Sequence, residues 1–143
     1  ACDISEKALS VARGNASKLG QSTIRFFASD WFSTVEAGDK FHIIVSNPPY
    51  IPSGVILSLS PEVALHEPVS ALDGGPDGLD AIRAIVSGAP DFLHPGGVLA
   101  LEIGFDQMDA VKRIFAESGQ FGEPEFKKDY AGHFRVAKTM LLP

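Results

Sequence analysis

Short apolar runs alternate along this chain with segments of helical period, and that alternation limits the folds open to it more than any other feature. Residues 23–28 are rich in β-branched and aromatic side chains, and residues 41–46 form an apolar run that predicts a strand buried on both faces. Between and after them come helical patterns. Ser5 caps a helix over 5–19, with Ala8, Leu9, Ala12, Ala16 and Leu19 on one face and Gly20 as its stop. Leu79, Ile82, Val86, Ala89 and Leu93 follow the same spacing until Pro90 interferes, and a third helix is expected over 107–118, with Met108, Val111 and Phe115 inward and Gly119 closing it. A turn at 95–97, a strand over 98–103 and two last strands near 123–128 and 135–142 complete the pattern. Strands alternating with helices of about 12 to 15 residues predict an α/β fold with a mostly parallel sheet and helices on both faces. Residues 51–77 show no clear period, which in a compact domain marks a binding loop or disorder.

Ligands of such sheets sit beyond the carboxyl ends of the strands. Asp3, Asp30, Asn47 and the stretch 102–104 all fall at predicted strand ends, so they are expected to gather on one rim. Asp3 can accept hydrogen bonds from the hydroxyls of a ribose, although an Asp before a helix is more often a cap or turn residue. Asp30 beside Trp31 offers an acceptor and an apolar wall to a purine, although such a pair taken alone is more often a turn acid next to a core aromatic.

The segment Asn47-Pro48-Pro49-Tyr50 is more specific. Two prolines have fixed φ and no N–H, so they end a strand and leave stiff backbone whose carbonyls are not claimed by a ladder. The Asn47 side-chain oxygen and the Pro48 carbonyl then form a rigid pair of acceptors suited to a planar NH2 group, and Tyr50 supplies a face for stacking.

Other candidates carry less. His42, His66, His94 and His133 lack the short spacings of a metal site, so no metal is expected. Asp73 to Gly78 has the glycines of a phosphate-binding loop but neither its Lys-Ser/Thr nor a preceding strand. Ser33 and Ser46 have no accompanying His and Asp pattern.

Composition bounds the partners. With 143 residues, 45% hydrophobic and 21% charged, the chain has the size of one globular domain. Twelve Lys and Arg against 18 Asp and Glu give a net charge of −6 without a basic strip, which disfavours nucleic acid. No apolar run reaches the roughly 20 residues of a membrane span. The lone Cys2 and the lack of a signal-peptide pattern predict a cytoplasmic setting.

Taken together, Asp3-Ile4-Ser5 followed by "ALSVARGNA", "SDWF" at 29–32, Asn47-Pro48-Pro49-Tyr50, "HEP" at 66–68, "DGGPDGLD" at 73–80 and "KDYAGHFRVA" at 128–137 resemble the release-factor glutamine N5-methyltransferases, the PrmC/HemK family. The resemblance runs over essentially the whole chain. It implies a Rossmann-like class I methyltransferase fold dependent on S-adenosylmethionine, with an antiparallel last strand. It also implies that Asp3 binds the cofactor ribose and that Asp30 and Trp31 lie at the adenine. Asn47 would border the cofactor too, and Asn47, Pro48, Pro49 and Tyr50 would hold the acceptor glutamine of the Gly-Gly-Gln motif of peptide-chain release factors. No general base is named, because the amide proton becomes acidic as the new bond forms. The tetrapeptide alone is shared with adenine-N6 methyltransferases and with enzymes that methylate a ribosomal-protein glutamine, and a non-catalytic release-factor-binding module is a further alternative.

The family pattern begins with a helical domain, a first central strand and a glycine-rich cofactor loop that these residues do not include. Residues 1–143 are therefore expected to be an N-terminally truncated, single catalytic domain, inactive alone and weak in cofactor binding. A gap is expected beside residues 41–46, and the exposed strand edges leave oligomeric state open.

Overall fold

The computed structural model describes residues 1–60 and 67–143. They form two compact units, residues 1–39 and 40–143. His66, quoted above with Glu67 and Pro68, lies outside the described residues.

In the first unit, β1 (Cys2–Asp3) and β2 (Phe27–Ala28) pair in parallel through the helix α1 (Glu6–Lys18). Both ends of α1 follow from local chemistry. Ser5 is the N-cap and its Oγ accepts the Ala8 N–H at 3.3 Å, while Glu6 faces the positive end of the helix. At the other end Gly20 adopts φ +68°, and the N–H groups of Gly20 and Gln21 donate back to the carbonyls of Ser17 and Ala16 at 3.1 and 2.8 Å. Only a residue without Cβ enters that left-handed position at no steric cost, and the pair of bonds satisfies carbonyls the helix itself leaves open. Leu9 and Ala16 are the buried side chains of α1. The strand expected over 23–28 is shorter than its β-branched composition predicts, because a strand is no longer than its partner: β1 offers only Cys2 and Asp3, opposite Phe27 and Ala28.

The second unit carries a four-stranded sheet in the order β3-β4-β6-β5, from β3 (Phe41–Ser46), β4 (Leu93–Glu102), β5 (Glu125–Lys128) and β6 (Phe134–Met140). β3 and β4 run parallel, whereas β6 is antiparallel to both β4 and β5. The turn expected at 95–97 sits inside β4 as a bulge, since the register jumps from Phe41↔Leu93 to Ile43↔Val98 and Gly96 takes φ +75°. Among the described residues, three α-helices accompany the sheet: α2 (Val69–Leu72), α3 (Asp80–Gly88) and α4 (Met108–Ser118). Pro90 ends α3 early, and residues Ala89–Phe92 continue as a 3₁₀ turn.

Alternation along β4 decides where the core lies. Leu99, Leu101 and Ile103 are fully buried on one face, with Ala137 and Thr139 of β6 beside them, beneath Ile82, Ile85 and Val86 of α3 and Val111 and Phe115 of α4. Phe115 meets Phe121 edge-on, ring centroids 5.5 Å apart. The other face carries Ile43, Val45, Val98, Ala100, Val136, Lys138 and Met140. On it Ile43 is 61% and Val45 74% exposed. This departs from the expectation that residues 41–46 are buried on both faces: in the described residues β3 pairs on one side only, with β4, and no element of its unit covers Ile43 and Val45.

Candidate functional site

Each unit brings candidate residues to the carboxyl end of its parallel strands. In the first unit, Asp3 ends β1 and Asp30 follows β2, both exposed. One Asp3 oxygen, Oδ1, accepts the Ser5 N–H at 2.8 Å, so Asp3 does shape the turn into α1; its second oxygen is uncommitted. Asp30 is held by its backbone, its N–H donating to Ser33 Oγ at 3.1 Å and its carbonyl accepting the Ser33 N–H at 3.0 Å, which leaves the carboxylate free among the described residues.

Trp31 adopts φ +49°, a left-handed conformation that a bulky side chain enters only under constraint. The constraint is visible. Ser29, buried beneath the turn, donates its hydroxyl to the Trp31 carbonyl at 2.9 Å and accepts the Thr34 N–H at 3.1 Å, and Thr34 Oγ1 donates to the Ala28 carbonyl at 2.7 Å. Strain of this kind costs about 1 to 3 kcal/mol and concentrates at ligand sites. Two carboxylates as hydroxyl and amine acceptors beside an indole face suit a nucleoside. Ser29 as the organiser of this turn could not be read from residue type alone.

In the second unit, Ser46↔Leu101 is the last pair of the β3–β4 ladder, so Asn47 and Glu102 emerge side by side. Pro48 is buried and Pro49 and Tyr50 half-buried, while Asn47 is exposed. Among the described residues, neither the Asn47 side chain nor the Pro48 carbonyl has a hydrogen-bond partner. Both oxygens read from the sequence as acceptors thus lack an internal partner among the described residues. Tyr50 is fixed at its outer end, where its hydroxyl donates to Glu102 Oε1 at 3.0 Å. Burial pushes the Tyr50 phenol up from its ordinary value, and the bond to the Glu102 carboxylate, which needs the proton, pushes it further.

The aperiodic stretch after Tyr50 is ordered by its backbone. The Ile51 N–H donates to the Leu72 carbonyl and the Gly74 N–H to the Ile51 carbonyl, both at 2.9 Å, and the Ser53 N–H to the Gly75 carbonyl at 2.9 Å. The Asp73 carboxylate accepts the Ser53 hydroxyl at 2.6 Å and the Gly75 N–H at 2.9 Å, which hold it below the usual carboxylate range. Of the glycines at 73–78, Gly78 lies against Tyr50 and Pro52, Gly74 against Gly78 and Gly75 against the Asp80 side chain. Gln107 completes the arrangement: its Nε2 donates to the carbonyls of Tyr50 and Gly78 at 2.9 and 3.0 Å, and its Oε1 accepts the Gly104 N–H at 2.8 Å. Sequence reading saw in Gln107 only the start of a helix; a glutamine where a Ser, Thr, Asp or Asn cap is usual was the available signal.

The hairpin joining β5 to β6 flanks the end of β4. His133 lies edge-on to Phe105 at 5.7 Å, and Arg135 Nε bonds Asp129 Oδ2 at 3.3 Å. The His133 N–H, then Arg135 and the Ala131 N–H, hold the Asp129 carboxyl below its ordinary range. A depressed carboxyl contributes stability above its unfolded value of about 4 and loses it as pH falls through the folded value. Amide hydrogen exchange should accordingly show Ala131 and His133 steadily protected above that range and opening below it, whereas Asp129→Asn should flatten the pH dependence. The rings of His42 and His94 lie 4.5 Å from each other. The described residues contain no group of three or more potential metal ligands, and no described helix is long and apolar enough to cross a membrane.

Comparison with known proteins identifies the fold and the relatives of this chain. Residues 1–58 match the methyltransferase small domain family. A release factor glutamine methyltransferase of Gloeobacter violaceus is 44% identical over 97% of this chain, which covers 49% of that relative. The chain spans about half the length of the curated relatives it matches. Among solved structures, a methyltransferase from Pyrococcus furiosus superposes with TM-score 0.67 at 19% identity, covering 98% of this chain and 60% of that one. A release factor-specific protein-(glutamine-N5) methyltransferase from Alicyclobacillus acidocaldarius superposes with TM-score 0.50 at 27% identity, covering 93% and 74% of the two chains. The fold is that of a Rossmann-like class I methyltransferase, and the inserted antiparallel β6 is the last strand expected of it.

Proposed function

Along nearly its whole length this chain is homologous to release factor glutamine methyltransferases, and from that premise we propose that the full-length gene product methylates the glutamine of a release-factor Gly-Gly-Gln motif at its side-chain nitrogen. The observation that carries the proposal is the open acceptor pair at Asn47 and Pro48, held rigid by two prolines beside the anchored ring of Tyr50.

Bound S-adenosylmethionine supplies the electrophilic methyl group. Asp3 would accept its ribose hydroxyls, Asp30 and Trp31 would border its base, and Asn47 would contact the cofactor as well as the acceptor. An amide nitrogen is a poor nucleophile because its lone pair is delocalised. Asn47 Oδ1 and the Pro48 carbonyl accept its two N–H groups, which fixes its orientation and surrounds it with the negative ends of two dipoles as positive charge develops on nitrogen. Tyr50 stacks on the amide plane and Pro49 stiffens the segment between them. As the new N–C bond forms, the methyl–sulfur bond would break and leave the cofactor as its neutral thioether, and one N–H proton leaves the nitrogen to solvent.

The proposed substrate belongs to translation, which puts the reaction in the cytoplasm. The net charge of −6 supports a protein rather than a nucleic-acid acceptor. Release factor, ribosomal protein and DNA should be offered side by side to the full-length product with labelled cofactor. Label is expected on the release-factor glutamine alone, located by mass spectrometry of the tryptic peptide. Label only on DNA, or only on the ribosomal protein, would overturn this assignment.

A further inference from the structure

The prolines stiffen the acceptor segment, and to fix its position it also needs an anchor at each end. One anchor is the β3–β4 ladder, which ends at Ser46↔Leu101. The other must hold the chain at or after Tyr50, and Gln107 is placed to do so.

Gln107 is buried, with 7% of its surface exposed, and occupies the N-cap position of α4 without capping that helix through its side chain. Its amide instead reaches across three segments: the end of the Asn47 to Tyr50 stretch, the glycine loop at Gly78 and the exit of β4 at Gly104. Both amide protons and the oxygen are used. Two carbonyls need donors and one N–H needs an acceptor, a pattern that a glutamine meets and a glutamate cannot. The surroundings are cut to fit. A Cβ at Gly78 would overlap the Tyr50 carbonyl, and one at Gly104 would lie 3.0 Å from the Gln107 amide carbon and oxygen.

We propose that Gln107 is a positioning residue for methyl transfer, clamping the Tyr50 carbonyl so that Asn47 and Pro48 meet the acceptor amide in one fixed place. The inference rests on the reading of the site given above. Asn47 to Pro49 then span two fixed points, the ladder and the clamp, and their fixed proline φ angles leave little freedom between. Loss of the clamp moves the acceptor pair without touching either member of it.

The test uses the full-length product and two variants. Gln107→Glu removes both donors and sets a carboxylate oxygen against two carbonyls. Gly104→Ala keeps the glutamine but displaces its amide by a few tenths of an ångström, with no backbone penalty because Gly104 is not at positive φ. A misplacement near 1 Å costs about a hundredfold in rate. Gln107→Glu should therefore lower kcat about 10- to 100-fold and Gly104→Ala several-fold, both with cofactor affinity unchanged. Unchanged kcat in Gly104→Ala together with folded, fully active Gln107→Glu would overturn the proposal; if Gln107→Glu does not fold, Gly104→Ala decides alone.

A second readout needs no turnover. In carbon-13 spectra the Tyr50 phenol should titrate lower in Gly104→Ala than in the wild type, toward the ordinary phenol range, because the ring is less buried and no longer held on Glu102; Gln107→Glu is not used for this readout, since its new carboxylate would itself raise the phenol. An unmoved Tyr50 titration would overturn the clamp even if the wild type proved to methylate a different acceptor. Absence of glutamine methylation by the wild type, with the Tyr50 shift present, would instead overturn the functional reading and leave the clamp standing.

Discussion

Replacing Asn47 with alanine should lower kcat of the full-length product about a hundred- to a thousandfold, the range seen when one preorganised polar contact to a reacting group is deleted. Asn47 has no internal hydrogen bond among the described residues, so its loss breaks no structural contact, and the unfolding midpoint should stay within a fraction of a kcal/mol of the wild type. Cofactor affinity should hardly change, since Asp3, Asp30 and Trp31 carry the nucleoside in the reading proposed here. The split between kcat and binding is the diagnostic: an interaction exerted mainly in the transition state lowers kcat and kcat/KM together. Stopped-flow single-turnover rates and calorimetry on the same preparation measure both. Turnover within a factor of three of the wild type would remove Asn47 from the catalytic role.

The largest expected effect on stability belongs to Gly78. It sits at φ +76°, and a Cβ there would overlap the Tyr50 carbonyl and lie 2.9 Å from Gln107 Nε2. Left-handed backbone costs about 1 to 2 kcal/mol once a Cβ is present and overpacking about 1 to 3, so Gly78→Ala should lose about 2 to 5 kcal/mol in urea unfolding. Gly132 is the control. Its φ is +89° but nothing lies within 4 Å of a Cβ there, so Gly132→Ala should lose only the backbone share, about 1 to 2 kcal/mol. Equal losses at the two positions would show that close approach to Tyr50 and Gln107 has no energetic weight.

The contrast between these residues explains what could be read from sequence. β3 was legible to the residue because its apolar run stops at two prolines, and α1 because Ser5 and Gly20 mark its ends chemically. Asn47 was legible as an acceptor because its neighbours dictate its backbone. The described parts of residues 51–77 resisted, since they are tied by backbone pairs such as Ile51 with Leu72 and Gly74, which leave no side-chain period. Gln107 resisted for a related reason: its partners are carbonyls and an N–H, present at nearly every position, so residue identities elsewhere give no hint of them. Ser29 and the left-handed Trp31 belong to the same class.

One consequence concerns how copies of this chain behave in solution. The face of the sheet bearing Ile43, Val45, Val98, Val136 and Met140 is broad and apolar, and β3 offers an unpaired edge among the described strands. Surfaces of this kind template stacking. Lys138 interrupts it, opposite Ala100, which itself pairs with Val45, and its ammonium lies 3.7 Å from Glu125 Oε2 on the neighbouring strand. Any second sheet laid over this face must strip water from that ammonium. A single lysine in the middle row thus works as a gatekeeper, keeping an oily surface accessible without letting it become a zipper.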